Sequence, residues 1–567
     1  MEIFKRLGID QSLRQIGEAF DSQYGGPNKL PTGVPENFSL NVLFSTGLSD
    51  SGELIAKWNL PSVADWRQKI KEQNDGSMPR EPYQRCSQAI FEAWLRPHVA
   101  KDPRVMCKFG LKFEELVEYE DHIVSTLVDQ TTGDKYSVKS QYVLGCDGAG
   151  SRVRKSIGIG LTGGPTPGAM YLVHFKSRDL SQLHRQGQFW HMFFTNGPVI
   201  ISQDEKDTWT VHKPVPLGTD PKDLDPFKEI PAALGTLFNP LPVQIDEILV
   251  TSLWRPNICL ADRYISESGR AFLCGDAAHQ NIPTGGYGMN TAVGDSFDLG
   301  WKVAAAVNGY GGHLLLQSYE LERRPVAMRN IERSGVHWGV HAAYIGWWAD
   351  ANKADAAPGR REESELKSRI AQHVNAHDNE NKDHGIEMGY RYNSSQVIVS
   401  SSEDATQEPE WSERHYIPST WPGARAPHVF LQDGETSIFD LLGTGPEFTL
   451  VDFSLQGDFV KQFERSFTQR GIPFKPLHLP NERHAHKIWE RDAVLIRPDD
   501  HVAWRAVAEQ GLDIDADEIV SIVLGQTSQT RELDRDAKAT VAEKFVFTST
   551  VGNTDQNSIS MLGEFQQ

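Results

Sequence analysis

The residues richest in chemistry in this 567-residue chain fall in one segment, RAFLCGDAAHQNIPTGGYGMNTAVGDSFDLGWKVAAAV, residues 270–307. A short apolar strand delivers Asp276 to its carboxyl end, where open α/β sheets present ligand-binding groups. A turn with Pro283, Gly285, Gly286 and Gly288 follows, and then a helix begins. Glycines let backbone approach a flat ligand closely, and the free N–H groups of a helix start favour negative charge. An aspartate accepting from sugar-alcohol hydroxyls, beside a helix N-terminus aimed at a ring, suits a planar ligand whose ring edge becomes anionic on reduction. The plainer alternative is a buried strand–turn–helix whose glycines serve packing only.

Other chemistry-bearing residues are more scattered. YSVKSQYVLGCDG reads as a strand ending in Asp147-Gly148, and Asp147 could equally be a helix cap. Arg152 and Arg154 follow it and could meet phosphates or lie in a solvated basic patch. His279 has no second His or carboxylate four residues on, so a metal site there is weak and none is expected. A GxGxxG match, GIGLTG at Gly158–Gly163, follows a short basic helix instead of a strand and leads to Gly164-Pro165 instead of a helix, so it fails its required context. Five cysteines (Cys86, Cys107, Cys146, Cys259, Cys274) form no CxxC pair, which points to a reduced, cytoplasmic protein without a disulfide framework.

The elements that must position these residues read as two kinds of structure. SQAIFEAWLRPHV predicts a helix capped by Ser87, with Ile90, Phe91, Trp94 and Leu95 on one face. Residues 165–265 are β-rich, with runs FWHMFFTNGPVIISQ, TWTVHKPVP and EILVTSLW, and predict a sheet-dominated domain inserted into an α/β one. A long helix is predicted from about Gly288 to Val307, and further helices over 311–395. In 420–525, β runs alternate with the helix DFVKQFERSFTQRG. The last forty-odd residues are polar and predict a loose tail.

Ordered together, these motifs resemble the flavin-dependent aromatic hydroxylases, in particular the phenol hydroxylase and chlorophenol monooxygenase branch. GDAAHQNIPTGGYGMNTAVGDSFDLGWK is similar to the family's GD motif, VLGCDGAGSRVRKSIGI to its DG motif, and YQRCSQAIFEAWL to its flavin-contacting helix. GYRYNSS and RPDDHVAWR resemble the branch with an added thioredoxin-like domain. The resemblance implies an FAD-binding α/β domain of the para-hydroxybenzoate hydroxylase type over 1–164 and 266–400, and a β-rich substrate domain over 165–265. A thioredoxin-like domain without CxxC is implied over 412–525, and a tail over 526–567. It implies that Asp276 holds the ribityl chain of FAD and that Gln88 touches the cofactor. Pro283, Gly286, Tyr287, Gly288, Met289 and Asn290 would line the flavin ring, while Asp147 and Gly148 support the pyrophosphate. One departure stands out: the family's opening strand–GxGxxG–helix, a βαβ unit of about 30 residues, has no counterpart, and the expectation is an N-terminally truncated FAD domain.

The implied reaction is reduction of FAD by NAD(P)H, capture of O2 as a flavin hydroperoxide, and transfer of one oxygen to a small phenolic or aromatic substrate. Trp190, His191, Phe194 and His212 are the candidate lining of a dry substrate pocket; strict alternation puts Trp190, Met192 and Phe194 on one face and His191 on the other. The catalytic residue is unknown at this level. Alternatives are Baeyer–Villiger oxidation or epoxidation on the same scaffold, and a non-catalytic remnant that no longer binds FAD. A net charge of −19 argues against nucleic acid as partner, and no apolar run approaches the ~18 residues of a membrane span. A homodimer is the candidate assembly.

Overall fold

The computed structural model describes all residues except 16–35, 205, 353–359, 402–403, 405–407, 507–513 and 529–567. The expected loose tail therefore lies, from 529 on, outside the described residues. In chain order the first strands are β1 (Val42–Ser45), β2 (Leu54–Trp58), β3 (Leu111–Glu118), β4 (Ile123–Asp129), β5 (Lys135–Ser140), β6 (Val143–Gly145) and β7 (Leu161–Pro165). Then follow β8 (Ala169–Lys176), β9 (His191–Phe194), β10 (Val199–Ser202), β11 (Thr208–Val215), β12 (Glu247–Trp254), β13 (Asn257–Ala261), β14 (Ala271–Leu273) and β15 (His279–Gln280). Four more, β16 (Phe448–Asp452), β17 (Phe474–His478), β18 (Ala493–Ile496) and β19 (Val502–Arg505), belong to the C-terminal part.

The principal helices are α1 (Gln88–Lys101), α2 (Arg152–Ser156), α3 (Tyr287–Val307), α4 (His313–Ala351), α5 (Arg360–Ala376), α6 (Asp458–Gln469) and α7 (Ala516–Val523). Ser87 caps α1 as its sequence predicts, its hydroxyl accepting from the amide of Ile90, and Ile90 and Trp94 are its buried residues.

The FAD-type strands β6 and β14 run parallel, Gly145 beside Leu273, so that Asp147 and Asp276 leave the same end of the pair. Among the described residues β6 pairs with β14 alone, and Leu144 on it is 42% exposed. The GIGLTG match runs from the end of α2 into β7, helix to strand, the reverse of the order a dinucleotide loop requires.

The β-rich part is a seven-stranded sheet in the order β12-β8-β11-β10-β9-β1-β2. It is wider than the 165–265 segment, because β1 and β2, drawn from residues 42–58, complete its edge. β1 lies parallel to β9, with Val42 beside His191 and Phe44 beside Phe193. This could not be read locally, since a parallel partner is fixed by tertiary packing and not by a hairpin turn. Behind the sheet, Met192, Phe194, Trp209 and Ile230 share one apolar core.

Helix α4 carries 39 residues, about 58 Å at ~1.5 Å per residue. Its first half packs Tyr319, Ala327 and Ile331 under the β6–β14 core, and its second half puts Tyr344 under β1 and β2. One continuous helix thus packs against both the two motif strands and the substrate sheet.

The C-terminal sheet has the order β17-β16-β18-β19, with β16 and β17 parallel and the other pairs antiparallel, flanked by α6 and α7 in a thioredoxin-like arrangement. No cysteine follows Cys274, so dithiol chemistry is absent from it. A buried ion cluster joins it to the FAD-type domain. Lys302 on α3 meets Asp298 at 2.8 Å and Glu322 of α4 at 2.6 Å, while Arg497 meets Glu322 at 2.7 Å, Asp298 at 3.2 Å and Asp499 at 2.5 Å. Three carboxylates face two cations here, and burial pushes Asp298 up to about 8. Burial opposes ionisation of Glu322 too, yet Arg497 and Lys302 hold it at about 2. The mutual approach of Asp298, Glu322 and Asp499 would suit a cation, but the ammonium and guanidinium groups serve those oxygens instead.

Candidate active site

The GD segment builds a cradle open on one side. β14 ends just before Cys274 and Gly275, whose φ of +60° turns the chain so that Asp276 stands exposed. Its carboxylate makes no hydrogen bond or ion pair among the described residues. His279, three residues on, is buried and meets Asp295 of α3 at 2.7 Å, while Arg323 of α4 reaches the same carboxylate at 2.9 Å. His279 is thus a strut between the GD turn and two helices.

The turn Pro283–Gly286 carries two left-handed residues, Gly285 at φ +80° and Gly286 at φ +67°. A Cβ on Gly285 would stand 2.4 Å from the Tyr287 ring, so only glycine fits; beside Gly286 there is open space. Helix α3 then starts at Tyr287, with Met289 46% exposed and Asn290 bonded back to the Gly286 carbonyl at 2.7 Å. Open glycine backbone, an unencumbered helix start and a free carboxylate fit the ring and ribityl chain of a flavin. Two further bonds set the turn: Gly285 N–H donates to Glu380 at 2.8 Å, and the Tyr287 hydroxyl lies 3.1 Å from His337 Nε2.

The DG segment makes structural contacts of its own. Asp147 accepts from the Ser151 hydroxyl and from the amides of Arg152 and Val153, so it supports the start of α2 beside the N-cap Ser151. Arg154 is buried and donates to the Ala277 carbonyl at 3.1 Å, tying the DG segment to the GD turn; Arg152 is exposed. Gly148 adopts φ +77° beside the cap. Gln88 is exposed at the start of α1 and bonded to Glu92 at 2.8 Å.

Facing the turn from the sheet is an aromatic wall. On β9 the alternation holds, but its apolar face is the core: Phe194 is 0% exposed behind the sheet and cannot line a pocket on the other side. Phe193 takes that place, sharing the opposite face with His191. Trp190 precedes the strand and its ring lies 4.3 Å from that of His191. Burial pushes His191 down to about 3 and His212, beside Val199 on the neighbouring strand, down to about 4, so both imidazoles are neutral. His191 Nδ1 is buried without a hydrogen-bond partner.

Residues the sequence did not single out complete the arrangement. His341 of α4 lies with its ring 4.2 Å from that of Phe193. It meets Glu380 at 2.8 Å through Nε2 and the Tyr344 hydroxyl at 3.0 Å through Nδ1. Burial opposes the charge on Glu380, but His341 and the Gly285 amide hold its carboxyl at about 2. One carboxylate therefore bolts the glycine turn to the sheet-facing histidine. His337 and His341, four apart on a predicted helix, were a readable signal for one face; Glu380 carried none, because its partners are 39 and 95 residues away.

The chain as a whole has known relatives. Residues 1–334 match the family described as FAD binding domain, and residues 419–526 the family described as aromatic-ring hydroxylase, C-terminal. The chain belongs to the flavin-dependent aromatic hydroxylases. Within that family it is 39% identical over 545 residues to the FAD-dependent monooxygenase apdD of Emericella nidulans, covering 93% of this chain and 83% of that protein. It is 40% identical over 526 residues to the FAD-dependent monooxygenase opdD of Penicillium oxalicum, covering 89% and 94%. Among solved structures, the flavin-dependent monooxygenase PieE in complex with FAD and substrate superposes with a TM-score of 0.76 at 28% identity, over 93% of this chain and 91% of that one. The fold is thus shared along nearly the whole chain. No helix of the described residues is long and apolar enough to cross a membrane.

Proposed function

We propose that this hydroxylase binds FAD against the Gly285–Asn290 turn and uses NAD(P)H and O2 to hydroxylate a small phenolic or aromatic substrate held under the β9 wall. The observation that carries the reading is the Gly285–Glu380–His341 link, which sets a flavin-type cradle and an aromatic wall in one fixed frame. Bound FAD supplies the acceptance of two electrons from a nicotinamide and the activation of O2.

The chain's own residues do the rest. Asp276 accepts hydrogen bonds from the ribityl hydroxyls, and the α3 amides at Gly288, Met289 and Asn290 stabilise negative charge at the ring edge. Pro283, Gly286 and Tyr287 line the ring, and Gln88 approaches it from α1. Asp147 and Gly148 serve indirectly, by holding the start of α2 beside the cradle. Phe193, Phe44 and Trp190 exclude water from the space above, which keeps activated oxygen from being lost. His191, neutral and with a free Nδ1, accepts the hydrogen bond of a substrate hydroxyl and so raises electron density on the ring carbon that is attacked.

The test is to measure FAD retention of the purified protein, then nicotinamide oxidation with a panel of phenols, comparing NADH with NADPH. The expected product is one oxygen heavier with its ring intact. Absence of flavin binding, or a ring-expanded product, overturns the reading.

A further inference from the structure

Two thiols meet where the motif strands end. β6 and β14 pair with Gly145 beside Leu273, and the Cys274 amide donates to the Gly145 carbonyl at 3.1 Å, so the next residue of each strand is a cysteine. Cys146 and Cys274 each follow directly on that last pair, just outside the ladder, and their thiols are hydrogen-bond neighbours. Cys146 is exposed and Cys274 buried, and both are free thiols. Cys274 is anchored on its far side by α3, its sulfur 3.3 Å from the Ser296 hydroxyl and 3.9 Å from the Ala292 carbonyl. Directly after these cysteines come Asp147 on one strand, and Gly275 and Asp276 on the other.

We propose that Cys146 and Cys274 form a peroxide-reactive dithiol, with Cys146 the attacking thiol and Cys274 the resolving one. In the first step the Cys146 thiolate attacks hydrogen peroxide: a sulfur–oxygen bond forms, the oxygen–oxygen bond breaks, and hydroxide leaves as water after taking a proton, giving a sulfenic acid. In the second step the Cys274 sulfur attacks the Cys146 sulfur; the sulfur–sulfur bond forms, the sulfur–oxygen bond breaks, and the hydroxide leaves with the Cys274 proton as a second water. Two thiols lose two electrons, and one peroxide becomes two waters.

The asymmetry needed for this is present. The hydrogen bond from Cys274 lowers the Cys146 thiol below its ordinary range, while that same bond, with burial added, pushes Cys274 up. A thiolate that is accessible and stabilised by a neighbouring S–H is the reactive member of such pairs. Hydrogen peroxide is also what an oxygen-activating flavin site releases when oxygen is not transferred to substrate, so on the proposed function the dithiol lies beside its own oxidant. A bridge here would couple the strand end before Asp147 to the one before Asp276, and so register uncoupled turnover at the cradle itself.

The experiment adds hydrogen peroxide to the full chain, quenches by alkylation, and maps cysteines by peptide mass. It needs no turnover, so failure of the hydroxylase reading and failure of this proposal are separate results. The expected result is a Cys146–Cys274 linked peptide two hydrogens lighter, formed at least about tenfold faster than any modification of the exposed Cys107. Cys274→Ser should stop at a Cys146 sulfenic acid that a 1,3-diketone traps, and Cys146→Ser should leave Cys274 unoxidised. Equal rates at Cys146 and Cys107, or oxidation of Cys146 to sulfinic acid with Cys274 still free in the native chain, would overturn it.

Discussion

The two ends of helix α3 make opposite uses of the same 21-residue element. Its N-terminal turn is open: glycines at positive φ, Met289 and Asn290 exposed, amides available. Its C-terminal half is sealed, with Asp298 and Lys302 buried against Glu322 and Arg497. At the open end, polar groups are left for a ligand; at the closed end each charge is matched by a protein partner, because a buried charge without one costs several kcal/mol. A GD helix therefore carries two functions, and substitutions should separate them by what they damage.

The largest effect is expected at the closed end. Arg497→Met leaves Asp298 and Glu322 with Lys302 as their one ionic partner and Asp499 with His501, and should cost about 3–5 kcal/mol of folding free energy, read from chemical denaturation. Next comes a pH effect from the same cluster. Asp298 is raised from 3.8 to about 8, so the native state holds a proton there that the unfolded chain releases. Its contribution is complete below pH 3.8 and is lost as pH rises towards 8. Asp298→Asn should flatten that loss, removing a slope of at most about 1.4 kcal/mol per pH unit in unfolding free energy between about pH 5 and 8.

At the open end, Gly285→Ala forces a Cβ onto the Tyr287 ring and a side chain into φ +80°. FAD affinity, followed by flavin fluorescence, should fall at least about tenfold, or ~1.4 kcal/mol. The smallest effect is on folding itself: Asp276→Ala touches an exposed, unpaired carboxylate and should move stability by less than about 0.5 kcal/mol while still weakening FAD. Were Asp276→Ala to unfold the protein, or Arg497→Met to weaken FAD with stability unchanged, the division of α3 into two functions would be wrong.

How far the sequence can be read follows the same line. The GD turn, the Ser87 cap and α3 are legible because their causes are local: a left-handed glycine, a cap three residues from its amide, an apolar stripe. The wall of the site is legible only in part. Alternation on β9 correctly sets His191 apart from Phe194, but which face is core depends on Trp209 and Ile230 behind the sheet. Strand periodicity alone cannot supply that choice, so the sequence offers His191 and Phe194 alike as pocket lining, and Phe193, which shares the face of His191, goes unnamed. Glu380 and His341 are invisible because a carboxylate shared between a turn amide and a histidine exists only after α4 has packed.

The sheet order has a consequence for anyone wishing to exchange specificity between relatives. The β-rich segment 165–265 looks like a cassette, but β9 finds its parallel neighbour in β1, and β2 closes the edge beyond it. Transplanting 165–265 alone would set a foreign β9 against a native β1, where Val42 and Phe44 must fit beside His191 and Phe193. A working chimera has to carry residues 42–58 as a second, simultaneous graft; the unit of inheritance is the pair of segments.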